Sequence, residues 1–169
     1  IMVASSKQNN PDIFSYDEAM SSEHRLQWIE AAIAEIVALE KFGCWTEVPI
    51  DEATTKVLPG TWVFRVKQAP DGLFKKFKAR YCIRGDLQEG IFETYAPVVQ
   101  FSSVRLFLAW SLILGWYTCS IDFSNAFIQA TLTDDTYIHL PRGFRSSQTA
   151  KTCLKLKRSL YGLAVAPRL

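Results

Sequence analysis

The chain has 169 residues, 49% of them hydrophobic and 21% charged, which is enough to build one domain with an apolar core. Its longest apolar run, residues 106–117, is shorter than the ~18 residues of a membrane-spanning helix, and the polar N-terminal residues do not form a secretory signal. We therefore expect an intracellular protein without a membrane partner. Because the chain begins with Ile1 and not with methionine, we also expect a longer parent.

The net charge of +2 conceals a strongly basic segment. Residues 1–60 carry four basic and ten acidic side chains, whereas residues 65–84 carry seven basic ones and a single acid, Asp71. Such a concentration of cations is typical either of a phosphate-binding surface or of an ordinary solvated face. The charge pattern alone leaves both interpretations open.

The cysteines give no sign of a metal site. They are 34 to 38 residues apart, without the close pairs that are typical of zinc ligands. We expect them to be reduced and half-buried, as in an intracellular protein. They are Cys44, Cys82, Cys119 and Cys153.

The N-terminal region predicts a polar, mobile leader over residues 1–14, followed by a helix. Ser15 and Glu18 have the spacing of a capping box, and Ser21 or Ser22 offers a second start. Helical spacing of apolar residues continues to about Lys41, before Gly43, and a short strand is predicted at 45–49. The apolar residues with this spacing are Leu26, Ile29, Ile33, Ile36 and Val37.

A β-hairpin is predicted in the basic segment, because apolar and polar residues alternate on both sides of the turn dipeptide Asp71-Gly72. Each strand then has one apolar and one mainly basic face. Cations on one face of one strand repel each other, which favours an anionic partner. The apolar positions are Trp62, Phe64, Val66, Phe77, Ala79, Tyr81 and Ile83, and the cations of the second strand are Lys76, Lys78, Arg80 and Arg84.

The C-terminal half predicts a helix that begins at Ser102 or Ser103 and ends at Leu114, before Gly115. A buried strand is predicted from Tyr117 to Asp122, and two further strands at 136–140 and 152–157. This order of helix, antiparallel hairpin, helix and strands predicts an α+β fold in which helices flank antiparallel strands.

Asp122 is a candidate metal ligand, because it ends an apolar run and is followed five residues later by the ring of Phe127. A polymerase can use such a pair, the acid to hold a divalent ion and the ring to line the sugar pocket. On its own, a single aspartate at the end of a strand is more typical of a cap or a turn.

Nine short motifs, in order over about residues 16–168, resemble the reverse transcriptase of copia-type retrotransposons, an RNA-dependent DNA polymerase. The motifs are Trp28 with Glu35, Gly43-Cys44-Trp45, Trp62-Val63-Phe64-Arg65, Asp71-Gly72, Lys78-Ala79-Arg80, Glu93-Thr94-Tyr95-Ala96-Pro97-Val98, Ser120 to Phe127, Pro141-Arg142-Gly143-Phe144, and Leu160 to Arg168. The resemblance implies part of a polymerase right-hand fold. Residues 15–98 would form a fingers-like region with the basic hairpin, and residues 99–169 the start of the palm and returning fingers.

The same resemblance implies a role for each candidate residue. Asp122 would be catalytic and would bind Mg²⁺ or Mn²⁺ in the complete enzyme, which would act on dNTPs and an RNA/DNA template-primer. The residues that would bind the nucleotide are Arg80, Lys67, Lys78, Phe127, Tyr161 and Gly162. The residues that would contact nucleic acid from the basic face are Lys76, Lys78 and Arg84.

Departures from the family pattern limit what we expect of the chain alone. Ala164 and Val165 replace a usual lysine and glutamine, and the second metal-binding motif, Tyr-x-Asp-Asp, is absent. We interpret Asp134-Asp135 as a turn, because no Tyr-x precedes it. The thumb and any ribonuclease H region are missing as well. We therefore expect a polymerase fragment that is inactive alone, with a non-enzymatic nucleic-acid-binding module or a decayed remnant as the alternative.

Overall fold

The strands of this protein pair into two small sheets. The structure, a computed structural model, describes residues 12–89, 98–121, 126–146 and 151–164. The helices are α1 (Tyr16–Ser21), α2 (Arg25–Lys41) and α3 (Phe101–Leu114). The strands are β1 (Ile13–Phe14), β2 (Trp45–Pro49), β3 (Val57–Leu58), β4 (Gly60–Gln68), β5 (Phe74–Ile83), β6 (Tyr137–Ile138) and β7 (Thr152–Leu156).

The first sheet has the order β1-β4-β5 and contains the predicted hairpin. β4 and β5 pair antiparallel from Gly60 opposite Ile83 to Gln68 opposite Phe74. Gly72 has φ 81° at the turn, where the side chain of Asp71 accepts a hydrogen bond from the Leu73 N–H. The prediction of the hairpin is confirmed. β1 adds Ile13 and Phe14 to β4, so residues that we had placed in the leader belong to the sheet; residues 1–11 lie outside the described part.

The region predicted as one helix forms two. Ser15 caps α1 with the predicted capping box, in which its hydroxyl accepts from the Glu18 N–H and the Glu18 carboxylate accepts from the Ser15 N–H. Ser22 ends α1, with its hydroxyl donating to the Ala19 carbonyl at 2.8 Å, and α2 begins at Arg25. Gly43, at φ 63°, follows the end of α2 as predicted.

Helix α2 packs on the hairpin through an aromatic cluster around Trp28, which is only 1% exposed. The Trp28 ring centroid lies 4.4 Å from that of Phe77, and 5.5 Å from those of Phe14 and Phe64. The predicted apolar face of α2 was wrong at three of its five residues; of the other two, Ile36 is buried and Ile29 is half-buried. Two apolar stripes overlap on this helix, and the one that contains the large indole ring is buried because it fills the space above the sheet. The buried residues are Trp28, Ala32, Ile36 and Leu39, whereas Leu26, Ile33 and Val37 are exposed.

The second sheet has the order β2-β7-β6-β3, with antiparallel pairs around β7 and a parallel pair between β3 and β6 that we did not predict. Two side chains of the hairpin bond to the segment after β6. The Trp62 indole N–H donates to the Arg142 carbonyl at 3.0 Å, and the Tyr81 hydroxyl donates to the His139 carbonyl at 3.2 Å. The Pro-Arg-Gly-Phe turn therefore joins the two sheets. Residues from both sides of the predicted 98/99 boundary contribute to the second sheet, and that division remains a prediction.

The predicted α+β class, with mostly antiparallel strands, is confirmed. Helix α3 ends at Leu114 before Gly115 as predicted, but its N-cap is Gln100. The predicted buried strand was wrong for the part that is described: residues 117–121 form no strand, and Tyr117 is fully exposed. No described strand pairs with this segment, and an extended segment gains its hydrogen bonds only from a neighbour. Asp122 lies outside the described residues.

None of the described helices is long and apolar enough to cross a membrane.

The aromatic cluster gives a direct test of the corrected helix face. Trp28→Ala should lower the free energy of unfolding by about 3–5 kcal/mol, because it leaves a cavity between α2 and the hairpin. Leu26→Ala, on the predicted but exposed stripe, should change it by less than about 0.5 kcal/mol. Urea unfolding followed by tryptophan fluorescence and circular dichroism measures both. Equal losses for the two variants would contradict the packing described here.

Candidate nucleic-acid interface

One face of the β4–β5 hairpin is covered by cations. Arg65 lies directly opposite Lys78, and Lys67 directly opposite Lys76. Residues opposite each other in an antiparallel pair project to the same side, and Arg80 follows Lys78 at the strand period of two. These residues, Arg65, Lys67, Lys76, Lys78 and Arg80, are called the basic face below.

The basic face is electrostatically unfavourable by itself, because like charges placed opposite each other in a sheet repel. The effect is clearest at Lys78, where partial burial and the neighbouring Arg80, Lys67 and Lys76 lower the pKa of the ammonium group while Glu35 opposes them. Within the described part of the chain, the close ion pairs involve cations elsewhere: His24, Lys56, Arg84, Arg142 and Lys155. The face is therefore suited to an anion supplied from outside.

The outer edge of β5 binds a distant part of the chain, the segment Leu160–Leu163. The Ile83 N–H donates to the Tyr161 carbonyl at 2.7 Å, and the Gly85 N–H donates to the Gly162 carbonyl at 3.1 Å. These bonds place the Tyr161 ring beside the basic face, with the guanidinium carbon of Arg80 5.0 Å from the ring centroid. At that distance a cation–π contact holds the guanidinium over the ring.

The contact between the end of β5 and the segment Leu160–Leu163 is called the junction below. The two backbones lie so close there that glycine is required on both sides. Gly162 has φ 91°, and a Cβ at that position would lie 2.2 Å from the Ile83 carbonyl oxygen. A Cβ at Gly85 would lie 2.2 Å from the Gly162 carbonyl oxygen. Any larger residue would push the Tyr161 segment away from β5.

A carboxylate that sequence analysis left without a role, Glu35, lies half-buried on α2, near the cations of β5. Burial raises the pKa of Glu35, and the nearby Lys78 and Arg80 oppose that rise. The spacing of Glu35 after Trp28 was part of a motif, but nothing in the spacing of α2 indicates that this acid faces the cations of β5.

The structure brings most of the predicted nucleotide-binding residues together. Lys67, Lys78 and Arg80 lie on the basic face, and Tyr161 and Gly162 lie at its edge. Asp122 is outside the described residues; Phe127 is in the short 3₁₀ helix Ala126–Gln129, and its side chain is not described.

Arg84 lies one residue beyond β5 and is paired with a carboxylate, so it is not counted in the basic face, and its contact with nucleic acid stays a prediction. It follows the last residue of β5, and its guanidinium binds both carboxylate oxygens of Asp86 at 2.7–2.8 Å. That hydrogen-bonded pair lowers the pKa of Asp86 to about 2. The strand ends one residue earlier than the alternation predicted, and Arg84 turns to the nearest carboxylate.

Asp134 and Asp135 lie in an irregular segment with a bend before β6, in agreement with the interpretation as a turn. One carboxylate oxygen of Asp135, Oδ1, lies 2.8 Å from the Lys155 ammonium, and the other, Oδ2, accepts hydrogen bonds from the Thr54 and Tyr137 hydroxyls. The bond to Lys155 is the main cause of the lowered pKa of Asp135. This acid is thus engaged within the second sheet. Across the described ranges, no three His, Cys, Asp or Glu side chains come close enough to hold a metal ion.

Comparison with known families shows which family this chain belongs to. Residues 44–169 match the family described as "Reverse transcriptase (RNA-dependent DNA polymerase)". The chain belongs to this reverse transcriptase family. The match covers the basic face and the Tyr161–Gly162 segment, and it confirms the family that the motifs indicated.

Curated relatives of this reverse transcriptase segment are polyproteins of transposons. It is 34% identical over 145 residues to the Retrovirus-related Pol polyprotein from transposon RE1 of Arabidopsis thaliana. This match covers 84% of this chain and 10% of the relative. It is 31% identical over 157 residues to the Retrovirus-related Pol polyprotein from transposon TNT 1-94 of Nicotiana tabacum, a match that covers 91% of this chain and 12% of the relative. It is 30% identical over 161 residues to the Transposon Ty1-ER2 Gag-Pol polyprotein of Saccharomyces cerevisiae (88% and 9%). The chain thus spans about a tenth of the length of these relatives. No solved structure matches it.

The glycine junction of this reverse transcriptase segment can be tested with a matched pair. Gly162→Ala should lower the free energy of unfolding both through its positive φ and through overlap with the Ile83 carbonyl. Gly72→Ala is the control, because Gly72 has a similar φ of 81° but no atom within 4 Å of a Cβ. We expect Gly162→Ala to cost about 2 kcal/mol more than Gly72→Ala in urea unfolding. Equal costs would show that the junction tolerates a side chain.

Proposed function

We propose that this chain supplies the fingers and the start of the palm of a copia-type retrotransposon RNA-directed DNA polymerase, and that its basic face binds phosphate. The observation that carries the proposal is the set of cations on one face of β4 and β5, with the Tyr161 segment bonded beside Arg80. The boundaries 15–98 and 99–169 for the fingers-like and palm-forming parts belong to this proposal.

Within the proposal, the two ends of the basic face have different roles. Arg80 and Lys78 are near the Tyr161 segment and would neutralise the triphosphate of a dNTP, with Lys67 opposite. Lys76 is nearer the hairpin turn and, with Lys78, would contact the template-primer backbone. Phosphoryl transfer depends on positioning and charge neutralisation, and preorganised cations provide both. The contact of Arg80 with Tyr161 fixes the guanidinium in advance.

The chemistry itself belongs to the complete enzyme. There Asp122 would bind Mg²⁺ or Mn²⁺, and the ring of Phe127 would lie under the sugar of the dNTP. The described residues do not assemble a site for such an ion. We therefore derive no catalytic step from them and assign the basic face a binding role.

A non-enzymatic nucleic-acid-binding module is the second candidate function. The basic face supports it directly, because electrostatic binding of phosphate needs no metal and no further carboxylate. A reading frame that continues into Tyr-x-Asp-Asp would favour the polymerase, and stop codons directly after Leu169 would favour a decayed remnant.

Binding to nucleic acid should weaken steeply as salt rises, with little preference for sequence, because contacts to phosphate release counterions. If ~3–4 cations are engaged, the slope of log affinity against log salt should be about −3 for a duplex and shallower for single strands. Replacing Lys76 and Lys78 together with alanine should flatten the slope by up to about 2. Fluorescence anisotropy from about 50 to 300 mM salt measures this.

The matched control removes two exposed lysines outside the basic face, Lys151 and Lys157. Their double alanine variant has the same net charge as the Lys76/Lys78 variant and should keep a slope close to that of the unaltered chain. Asp122→Ala should not flatten the slope either. Equal flattening by both double variants would show that only net charge matters, and the basic face would then lose its proposed role.

A polypeptide of these 169 residues should not extend a primer. Two-metal catalysis needs further carboxylates, which the family carries in Tyr-x-Asp-Asp, a sequence that these residues lack. Incubation with an RNA template, a DNA primer, labelled dNTPs and Mg²⁺ or Mn²⁺ should give no incorporation above a blank. Incorporation that disappears in Asp122→Ala would contradict this expectation.

A further inference from the structure

We propose that the ring of Phe74, at the tip of the β4–β5 hairpin, is a stacking platform for an unpaired base. It would give single-stranded nucleic acid an affinity that contacts to phosphate alone do not supply. The inference rests on the function proposed above, because the basic face supplies those phosphate contacts. The residues Leu73, Phe74, Lys75 and Lys76 are called the hairpin tip below.

The hairpin tip combines exposed apolar side chains with exposed cations. Leu73 is 67% exposed and Phe74 is 59% exposed. Lys75 and Lys76 follow them directly along the chain and are exposed as well, and Lys67 lies opposite Lys76 on β4. Proteins bind single strands with this combination, since cations neutralise the backbone and aromatic rings stack on the bases. The tip therefore offers both parts of such a contact.

The pairing of β4 with β5 is irregular at the tip and sets the direction of Phe74. Lys67 is opposite Lys76, but the next pair is Gln68 with Phe74, so Lys75 is an extra residue in β5. Strict alternation would put Phe74 on the basic face beside Lys76, whereas the extra residue turns it to the apolar side. The ring and the ammonium groups thus lie close along the strand but point to different sides. A base and its phosphate can reach them together.

The core holds the Phe74 ring in place. Its centroid lies 5.0 Å from that of Phe77, and Phe77 in turn lies 4.4 Å from the ring of the buried Trp28. Phe77 therefore supports one part of the Phe74 ring, while the rest is open to solvent. The turn before the ring is fixed by Asp71, whose carboxylate accepts the Leu73 N–H at 3.0 Å. A ring that is already fixed loses little conformational entropy when a base stacks on it.

Stacking on Phe74 would be confined to unpaired bases. Inside a duplex each base is paired and stacked between its neighbours, and extruding it costs unstacking and unpairing energy. An unpaired base offers its face without that cost. Because the ring carries no charge, its contribution to affinity should not depend on salt as the contribution of the lysines does.

The test compares three probes by fluorescence anisotropy at one salt concentration. They are a single-stranded oligothymidylate of about ten nucleotides, an abasic oligonucleotide with the same number of phosphates, and a duplex of the same length. The unaltered chain should bind the oligothymidylate roughly five- to tenfold more tightly than the abasic strand, the lower end of what one stacked base contributes.

Three variants assign the difference to the ring. Phe74→Leu keeps an apolar side chain but removes the aromatic face, so the oligothymidylate and the abasic strand should bind equally. Its affinity for the duplex and its salt slope should stay those of the unaltered chain. Phe74→Trp offers a larger ring and should keep or increase the preference. The control Phe101→Leu removes a ring of similar exposure, 67%, from α3 and should change nothing.

A spectroscopic readout reports the stacking itself. The fluorescence of 2-aminopurine in a single strand falls when the base stacks on an aromatic ring. Binding to the unaltered chain and to Phe74→Trp should quench it, whereas binding to Phe74→Leu should quench it much less. Thermal unfolding of each variant shows whether the fold is intact.

The outcomes separate this inference from the proposed function. Equal affinity of the unaltered chain for the oligothymidylate and the abasic strand overturns the stacking platform and leaves the basic face as a phosphate site. An equal loss in Phe74→Leu and Phe101→Leu also overturns it. If Phe74→Leu unfolds, Phe74→Trp decides, since loss of the preference in that variant counts against stacking. Absence of binding to all three probes overturns the proposed function and this inference together.

Discussion

The outer edge of β5 carries backbone N–H groups that need acceptors, because β5 is the last strand of its sheet. Two groups from a distant part of the chain meet this need, the carbonyls of Tyr161 and Gly162. Satisfying the edge therefore also brings an aromatic ring to the cations of the hairpin. The candidate interface depends on this requirement more than on any single contact within it.

The basic face opposes folding, and the other side of the same strands offsets it. Cross-strand repulsion between cations disfavours the hairpin, whereas its apolar underside packs Phe64 and Phe77 against Trp28 of α2 and buries Ala79 and Tyr81 in the core. Most of these cations have no ion pair among the described residues. A bound anion would therefore remove the repulsion between them and stabilise the hairpin. Under the proposed function, stability and phosphate binding would be coupled through opposite faces of one hairpin.

Several residues of the motifs that indicated the family make contacts that hold the fold together. Arg142, in the Pro-Arg-Gly-Phe turn, accepts the indole N–H of Trp62 through its carbonyl, and its guanidinium pairs with Asp17 at 2.7 Å. Gly162 allows the backbone contact with Ile83. The motif residues at 93–97 and Asp122 lie outside the described part, so their roles rest on the family alone. Sequence analysis could not separate these structural roles from chemical ones, because both constrain a residue to one type at one position.

The sequence by itself determined the local features: the capping box at Ser15, the hairpin turn at Gly72 and the alternation that puts cations on one face. These depend on hydrogen bonds and side-chain directions within a few residues, which local residue types specify. Only the tertiary structure decided which stripe of α2 is buried, that Arg84 pairs with Asp86, and that the Tyr161 segment bonds to the edge of β5. Each of these outcomes is a competition between partners far apart in the chain, and its result depends on which partner the packing brings within reach.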